Sequence, residues 1–446
     1  MRKPAAHLVP PNLEHFPLFR NPPLDLHCTL VTPLYGGGVR AGEVDEQMPI
    51  RATGIRGQLR FWWRKAHRSQ FLQSDGKSTD WEKMFAAERS LWGGIGDSAD
   101  NVVSSKVLVC VRDLKINDKK AQAAEYEQRP GRGFNSFPNW KPWAGGKLGG
   151  YALFPAQGKA NRGGVVRPPA FLFKPMSLSW VLRIQFRDET TEEERVQVRT
   201  ALRWWASFGG VGARTRRGLG AVQVEALDPV RLEEVKAQGY TLVRQDGSKT
   251  RDALEAWKAA LKSLQTFRQG KGFARNPGQV PDRPGRSRWP EPDAIRRITG
   301  AHAHHHTPEH PAGDLFPRAQ FGLPIIFHFK DTGEPDDHTL QPEGAERMAS
   351  PVILRPYRDE EGMWHAAALY MPSERKTKLL LKGRREWTVT EWPSDAEKRK
   401  EAVDRIPPLK RIEKEYPGRI RTPMAAFLNY FKNPEKFSDQ QTRPRG

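Results

Sequence analysis

The chain is poor in cysteine and has no long apolar run. Its two cysteines, Cys28 and Cys110, each lie in an apolar, strand-like run, which argues against a disulfide framework and a cysteine-based zinc site. No apolar run approaches the roughly eighteen residues that a membrane-spanning helix needs, and prolines interrupt the start of the chain, where a secretory signal would need an apolar core. We therefore expect a cytoplasmic protein with reduced cysteines and no membrane partner.

Acidic residues are scarce relative to basic ones. Lys and Arg total 73 against 52 Asp and Glu, which gives a formal net charge of +21. Such an excess of positive charge is typical of proteins that bind nucleic acid. The 446 residues also exceed the length of one ordinary domain, so we expect two domains.

Catalytic signatures are missing as well. No Gly-Lys-Ser/Thr closes the glycine-rich run at residues 209–220, which excludes a Walker loop, and the histidines between His302 and His310 lack both HExxH spacing and a cysteine partner. We therefore predict no catalytic residue, no metal and no cofactor. The lone histidines His27 and His67 leave a metal-independent ribonuclease open, because either could serve as a general acid or base beside a ribose hydroxyl.

Hydrophobic periodicity orders the first half as strand, helix, strand, strand, helix, strand. The strands are predicted at residues 24–31, 104–114, 178–186 and 221–227. Thr53 is a candidate cap for the first helix, and a capping-box pattern at residues 190–194 opens the second. This order is that of ferredoxin-like and RRM-like domains, in which two helices cover one face of an antiparallel sheet.

The second half is compatible with a degenerate domain of the same kind. Helices are predicted at residues 251–267 and 423–431, and strands at 322–329, 351–357 and 364–371. The predicted fold is thus α+β, with two fused ferredoxin-like (RRM-like) domains at residues 1–228 and 229–446, antiparallel sheets, long insertions and a Gly/Arg-rich loop. An insertion at about residues 115–177 is predicted either to project as a hairpin toward RNA or a neighbouring subunit, or to be a flexible excursion.

The Gly/Arg-rich loop, residues 209–220 (GGVGARTRRGLG), is the most informative motif. Glycine lets the main chain adopt positive φ and approach a ligand closely, and arginine supplies forked donors that match phosphate oxygens. The pattern therefore predicts contact with the backbone of a polyanion, although a glycine-rich turn with solvated arginines is the alternative. The candidate residues are Gly209, Gly210, Gly212, Arg214, Arg216, Arg217 and Gly218.

A second candidate pattern runs along the first helix. Arg56, Arg60 and Trp63 recur there at helical spacing, about a quarter turn from the apolar stripe. An exposed Trp between arginines suits single-stranded RNA, whose bases stack on aromatic rings. Alternatively, Trp63 widens the core-facing stripe and the arginines are merely solvated. Arg51 precedes the helix and could donate beside its N-terminus.

Four segments together resemble a known family. PIRATGIRGQLRFWWRKA (49–66), GGVGARTRRGLG (209–220), FGLPIIFHF (321–329) and RMASPVILRP (347–356) are similar to the first RAMP-superfamily subunit of the Cmr effector complex in type III-B CRISPR systems. The resemblance implies contact with guide crRNA, target RNA and the other Cmr subunits, and it implies no active site here. On the first helix it places near RNA Arg51, Thr53, Arg56, Arg60, Trp63 and Arg64.

The sequence thus predicts a non-catalytic RNA-binding subunit that seats target RNA against the guide. Because base pairing between two RNAs reads the sequence, the protein is expected to recognise backbone and shape. Two alternatives stay open. One is a metal-independent endoribonuclease that processes the guide, and the other is an architectural capping subunit whose arginines face acidic groups of protein.

Overall fold

The computed structural model describes residues 21–96, 102–131, 133–278, 285–372 and 378–438. The main elements of the first half are β1 (Leu24–Leu30), α1 (Ala52–Ala66), α2 (Trp81–Trp92), β2 (Val107–Ile116), β3 (Leu178–Phe186), α3 (Glu192–Phe208) and β4 (Val222–Val224). The main elements of the second half are α4 (Leu232–Ala237), β5 (Thr241–Arg244), α5 (Ala253–Gln269), α6 (Glu291–Thr299), β6 (Ile325–Phe327), β7 (His338–Pro342), β8 (Val352–Arg358), β9 (Trp364–Tyr370), β10 (Leu379–Lys382), β11 (Glu386–Val389), α7 (Ala396–Arg405), α8 (Pro407–Glu415) and α9 (Pro423–Lys432).

An antiparallel sheet in the order β4-β1-β3-β2 forms the centre of the first half. Residues along β3 alternate between buried and half-buried, and the buried set packs in one core with the apolar faces of α1 and α3. The registers place Leu26 opposite Leu182 and Cys28 opposite Trp180. The α+β fold is therefore confirmed in this half, and so is the predicted order of strands and helices, except that α2 was not predicted.

The two predicted helix starts have different outcomes. The capping box of α3 is present, because Thr191 accepts from the Glu194 amide while the Glu194 carboxylate accepts from the Thr191 amide. The predicted Thr53 cap is wrong, because α1 begins at Ala52 and its N-cap position is held by Arg51, which makes no side-chain capping bond.

The second half repeats part of the same topology. Strands β5, β9 and β8 form an antiparallel sheet in that order, with α5 between β5 and β8 in sequence and α9 after β9. Among the described residues this sheet has no fourth strand corresponding to β4, so the repeat is degenerate. A separate sheet in the order β6-β7-β10-β11 packs with α6 around its own small core. The domain boundary at residues 228 and 229 stays a prediction.

The insertion consists of short, paired strands and single helical turns. Its strands are Ala121–Gln122, Ala124–Glu125, Gln128–Arg129, Gly133–Phe134, Asn139–Trp140, Lys159–Asn161, Gly164–Arg167 and Phe171–Leu172. Ala123, Ala144 and Leu153 are fully buried in the same core as Trp257 of α5. The expectation that the whole insertion projects is therefore wrong, because its apolar residues dock on the second half. The hairpin 159–167 keeps an exposed surface, on which Val166 is 62% exposed.

Arg355 of β8 ties the two halves together. Its guanidinium is buried and donates to the carbonyls of Trp205 (3.0 Å), Gly209 (2.5 Å) and Val222 (2.7 Å). The first two acceptors belong to the end of α3, where the Trp205 carbonyl also accepts from the Gly209 amide at 2.7 Å. Burial lowers the pKa of Arg355 to about 9, and no carboxylate among the described residues pairs with it.

Both cysteines are free thiols, as expected, and burial raises the pKa of Cys28 to about 12. In the part of the chain that the structure covers, no helix combines the length and the apolar character needed to cross a bilayer.

Candidate nucleic-acid interface

The Gly/Arg-rich loop is packed into the fold along most of its length. It connects α3 to β4 and lies against the segment that follows β1. The Thr32 hydroxyl donates to the Gly218 carbonyl at 2.7 Å, and the Ala213 amide donates to the Tyr35 carbonyl at 2.7 Å. The Val211 amide closes the loop by donating to the Gly220 carbonyl at 2.8 Å.

Close packing explains several of the loop's glycines. A Cβ at Gly209 would lie 2.4 Å from Trp205 Cδ1, and one at Gly218 would lie 2.5 Å from Trp257 Cδ1. A Cβ at Gly220, where φ is +63°, would lie 1.9 Å from the Val211 carbonyl oxygen. These glycines are therefore required by the protein's own packing, and the same holds for the exposed Gly212, where φ is +75° and a Cβ would lie 2.7 Å from the Tyr35 carbonyl oxygen.

The three arginines of the loop diverge. Arg214 donates from Nε to the Ala152 carbonyl at 2.5 Å, and Arg216 donates from Nη1 to the Ser350 carbonyl at 2.7 Å. Arg217 has a buried Nη1 without a hydrogen-bond partner, and burial lowers the pKa of its guanidinium to about 10. The three side chains therefore reach the insertion and the second half and do not form one basic track.

The predicted arginines of α1 face α2. Arg60 Nε and Arg64 Nη1 lie 2.5 and 2.6 Å from the same Glu88 carboxylate oxygen, and Glu88 is 2% exposed. Arg56 donates to the Trp92 carbonyl at the end of α2. These three side chains hold α2 against α1.

Trp63 is a core residue, so the expectation of an exposed stacking side chain is wrong. Both Trp62 and Trp63 are 1% exposed, and Trp63 Nε1 donates to Gln197 of α3 at 3.0 Å. The alternative, that Trp63 widens the apolar stripe, is confirmed. Two successive tryptophans make this stripe wide enough to pack on both the sheet and α3.

Four predicted site residues do come together in a cleft of about 280 Å³ at the start of α1. This helix-start cleft is lined in part by Arg51, Thr53, Gly210 and Gly212, and also by Gly37, which lies beside Gly212. Arg51 is partly exposed and pairs with Asp45 at 2.7 Å, and the pKa of that carboxyl is lowered first by the Met48 amide and then by the arginine.

The electrostatics of the α1 start differ from those of α3. Helix α3 has a capping box and three glutamates in its first turn, whereas α1 has no side-chain cap and no acidic residue there. The first-turn amides of a helix lack helical partners and form its positive end. The helix-start cleft therefore suits a phosphate oxygen.

A larger groove of about 710 Å³ runs between α1 and the second half. This interhalf groove is lined in part by Phe61, Lys65, Arg216, Arg347 and Lys378. The Arg216 guanidinium lies 5.8 Å from the centre of the Phe61 ring, and Lys65 Nζ lies 5.7 Å from it. Arg347 and Lys378 are exposed and form no ion pair with any described residue. Cations around an aromatic ring suit a single nucleic-acid strand.

An exposed aromatic pair beside this groove was not anticipated from the sequence. Trp81 and Phe85 of α2 are 40% and 50% exposed, and their rings stack with centroids 5.6 Å apart. Lys65 Nζ lies 6.0 Å from the centre of the Trp81 ring, which links the pair to the groove. The i, i+4 spacing of the two rings, after the capping residue Asp80, was the available signal.

The histidines fall into different environments. His67 is buried, its Nδ1 lies 2.9 Å from the Trp63 carbonyl, and burial lowers its pKa. His305, His306 and Asp331 place one ligand atom each within 4.8 Å of one another, a group that could hold a metal ion. The expectation of no metal stays a prediction.

A family model described as the RAMP superfamily matches residues 27–223. A search of curated proteins found no match.

Similar solved structures include Cmr1 from Pyrococcus furiosus, with 13% identity and a TM-score of 0.38 over 80% of this chain and 93% of that one. They also include a chain of a type III-B Cmr-beta complex bound to cognate target RNA, with 11% identity and a TM-score of 0.38 over 87% and 99%. A chain of a type IV-B CRISPR complex has 16% identity and a TM-score of 0.27 over 47% and 93%.

The family match runs from within β1 to within β4 and includes α1, α3 and the Gly/Arg-rich loop. The chain is therefore similar to the RAMP superfamily over residues 27–223.

Proposed function

We propose that this protein is a non-catalytic, RNA-binding subunit of a cytoplasmic type III-B CRISPR (Cmr) complex, which captures target RNA and seats it against the guide crRNA. The RAMP-superfamily match, the net charge of +21 and the four family-like segments support this assignment. One observation carries it above all. The Gly/Arg-rich loop contributes Gly212 to the helix-start cleft and Arg216 to the interhalf groove, and α1 lines both.

The two clefts offer complementary contacts to an RNA strand. The helix-start cleft presents main-chain amides and Arg51 to phosphate, whereas the interhalf groove presents Arg216, Arg347 and Lys378 around Phe61. Contacts from arginine, lysine and main-chain amides to phosphate position an RNA strand and carry no sequence information directly. Recognition of backbone and stacked bases, with the sequence read by the guide, fits this set.

The proposal assigns no chemistry to the chain. His67, the candidate general acid or base, is buried beneath α1, and its Nδ1 is engaged by the Trp63 carbonyl. Its imidazole is therefore poorly placed to reach a ribose hydroxyl. Incubation of the purified chain with guide-repeat RNA in EDTA tests this point, since specific cutting that His67→Ala abolishes would favour the endoribonuclease alternative.

The RNA contacts are tested by a salt titration of single-stranded RNA binding, measured by fluorescence anisotropy. Arg347→Ala removes an exposed groove cation, so the slope of log K against log salt should become shallower by about 0.7. Thr53→Glu adds a negative charge at the start of α1. This charge interacts favourably with the positive end of the helix dipole but repels phosphate. This variant should keep or raise thermal stability while it weakens RNA binding several-fold.

Arg60→Ala is the matched control on the same helix. Because Arg60 binds Glu88 on the side facing α2, its removal should leave the salt slope unchanged. If Arg347→Ala and Thr53→Glu both bind RNA like the unmodified protein, the proposed interface is wrong.

A further inference from the structure

One cavity of the second half is lined by two segments that take no part in the proposed RNA contacts. The basic loop that follows α5 supplies Arg275 and Arg286, and the histidine-rich segment supplies His306. Arg268 at the end of α5, Arg296 of α6 and Arg318 add three more arginines to its lining. We call this cavity of about 370 Å³ the arginine pocket.

Three of its five arginines are held by acidic groups. Arg286 and Arg296 each lie 2.9 Å from a carboxylate oxygen of Asp293. Arg296 also pairs with Glu334 at 2.8 Å, and Arg318 lies 3.1 Å from Glu291. Asp293, Glu334 and Glu291 are nearly inaccessible to solvent, with side chains 7%, 2% and 0% exposed. These carboxylates fix the three guanidinium groups in place.

The other two arginines, Arg268 and Arg275, contact no carboxylate among the described residues. Arg268 has a buried Nε without a hydrogen-bond partner. Arg275 Nη1 lies 3.5 Å from the Gly285 carbonyl, a long contact. Burial, and next the charge of Arg318, lower the pKa of Arg275. The pocket thus holds two guanidinium groups whose positive charge no acidic side chain compensates.

Like charges gathered in a partly enclosed space are costly unless an anion binds among them. Guanidinium forks match the oxygens of a phosphate group. Beside the arginines, β6 and Phe329 contribute an apolar wall to the pocket: Arg318 lies 5.6 Å from the centre of the Phe327 ring, Arg296 lies 5.3 Å from that of Phe329, and Ile326 is 55% exposed. A cavity that combines convergent cations with apolar side chains is within the size range of small-molecule sites.

We propose that the arginine pocket binds the phosphate group of a nucleotide through Arg268 and Arg275, with the base or sugar against the β6 wall. The nucleotide is either a free one or the phosphorylated end of an RNA. The pocket shares no lining residue with the helix-start cleft or the interhalf groove, so this inference stands apart from the proposed function.

The test is calorimetric titration of the full chain with ATP, inorganic phosphate, and one short oligoribonucleotide carrying either a 5′-phosphate or a 5′-hydroxyl. ATP binding that phosphate competes away would identify a free nucleotide as the ligand. A preference for the 5′-phosphate RNA over its 5′-hydroxyl form would identify an RNA end. In either case Arg275→Ala should weaken binding about tenfold or more, and Arg275→Lys should weaken it less.

Arg385→Ala is the matched control, because Arg385 is exposed on the turn between β10 and β11 and forms no ion pair with a described residue. It should bind like the unmodified protein. Arg268→Gln provides the same test should Arg275→Ala fail to fold. The inference is overturned if neither ATP, phosphate nor 5′-phosphate RNA binds at millimolar concentration, or if the pocket variants bind them unchanged. RNA binding lost in Thr53→Glu bears on the other interface alone.

Discussion

The arginines of α1 and those of the arginine pocket look alike in sequence but have different surroundings. Arg60 and Arg64 share one buried carboxylate, Glu88, supplied by a helix that starts about 15 residues beyond α1. Arg268 and Arg275 lie in an equally basic context and contact no carboxylate in the described part of the chain. The difference shows that an arginine is available to a ligand only where no distant segment brings it an acid.

Glycines that look alike in sequence also differ in their surroundings, and a substitution at a packed glycine is expected to have the largest effect on stability. Gly220→Ala gives a residue with a φ of +63° a Cβ that would lie 1.9 Å from the Val211 carbonyl oxygen, so the loop must shift. We expect the free energy of unfolding to fall by about 3 kcal/mol or more. Urea denaturation followed by circular dichroism measures this loss.

Gly76→Ala is the matched control, because Gly76 has the same φ of +63° and nothing within 4 Å of its added Cβ. It should cost about 1 kcal/mol, the strain of a left-handed residue alone. Equal losses at the two positions would mean that the Gly/Arg-rich loop is not held by packing and that its glycines have another role.

The arginine pair on α1 gives the next largest effect. Glu88→Gln removes the buried charge that Arg60 and Arg64 share and leaves two guanidinium groups without a counterion. We expect a loss of about 1–3 kcal/mol, below that of a fully buried pair because the two arginines are 31% and 25% exposed. The same denaturation measurement checks it.

Glu360→Gln serves as the control, since its pair with Arg231 is 60% and 65% exposed on its two sides. Its effect should stay within about 0.5 kcal/mol. Glu88→Gln should also free Arg60 and Arg64, so a gain in RNA affinity would show that the carboxylate withholds them. A stability loss no larger than that of the control would mean that Arg60 and Arg64 gain no more from their ion pair than solvated arginines do.

Local patterns were enough to predict the first half of the fold. Strand alternation at residues 178–186 and the capping box at Thr191 depend on neighbours in sequence, and both were found where predicted. The missing Thr53 cap and the buried Trp63 depend on where the sheet and α3 lie, which local spacing does not reveal. Of the separate sheet β6-β7-β10-β11 only β6 was predicted, within residues 322–329, because the other strands are short and β7 pairs with β10 across a long stretch of chain.

Only part of the candidate site could be predicted from the sequence, because most of its residues meet through contacts between distant segments. Arg51, Thr53, Gly210 and Gly212 meet because the loop after β1 brings the helix start beside the end of α3. The partners of Arg214, Arg216 and Arg217 lie tens of residues or more away in the chain, in the insertion and the second half. The five arginines of the pocket span residues 268–318 and converge only through folding.

The smallest expected effect is the pH dependence of stability that arises from His67, the buried histidine at the C-terminal cap of α1. The exposed His27 of β1 serves as its control. Burial lowers the folded pKa of His67 below its ordinary value of 6.5, so the unfolded chain binds the proton more tightly. Its contribution to stability is therefore complete above pH 6.5 and is lost as the pH falls through the folded pKa, by at most about 1.4 kcal/mol per pH unit. Urea midpoints at pH 7.5 and 5.5 should differ less in His67→Gln than in the unmodified protein. His27→Gln, on the exposed side of β1, should leave the difference intact, and the opposite ranking would contradict the burial of His67.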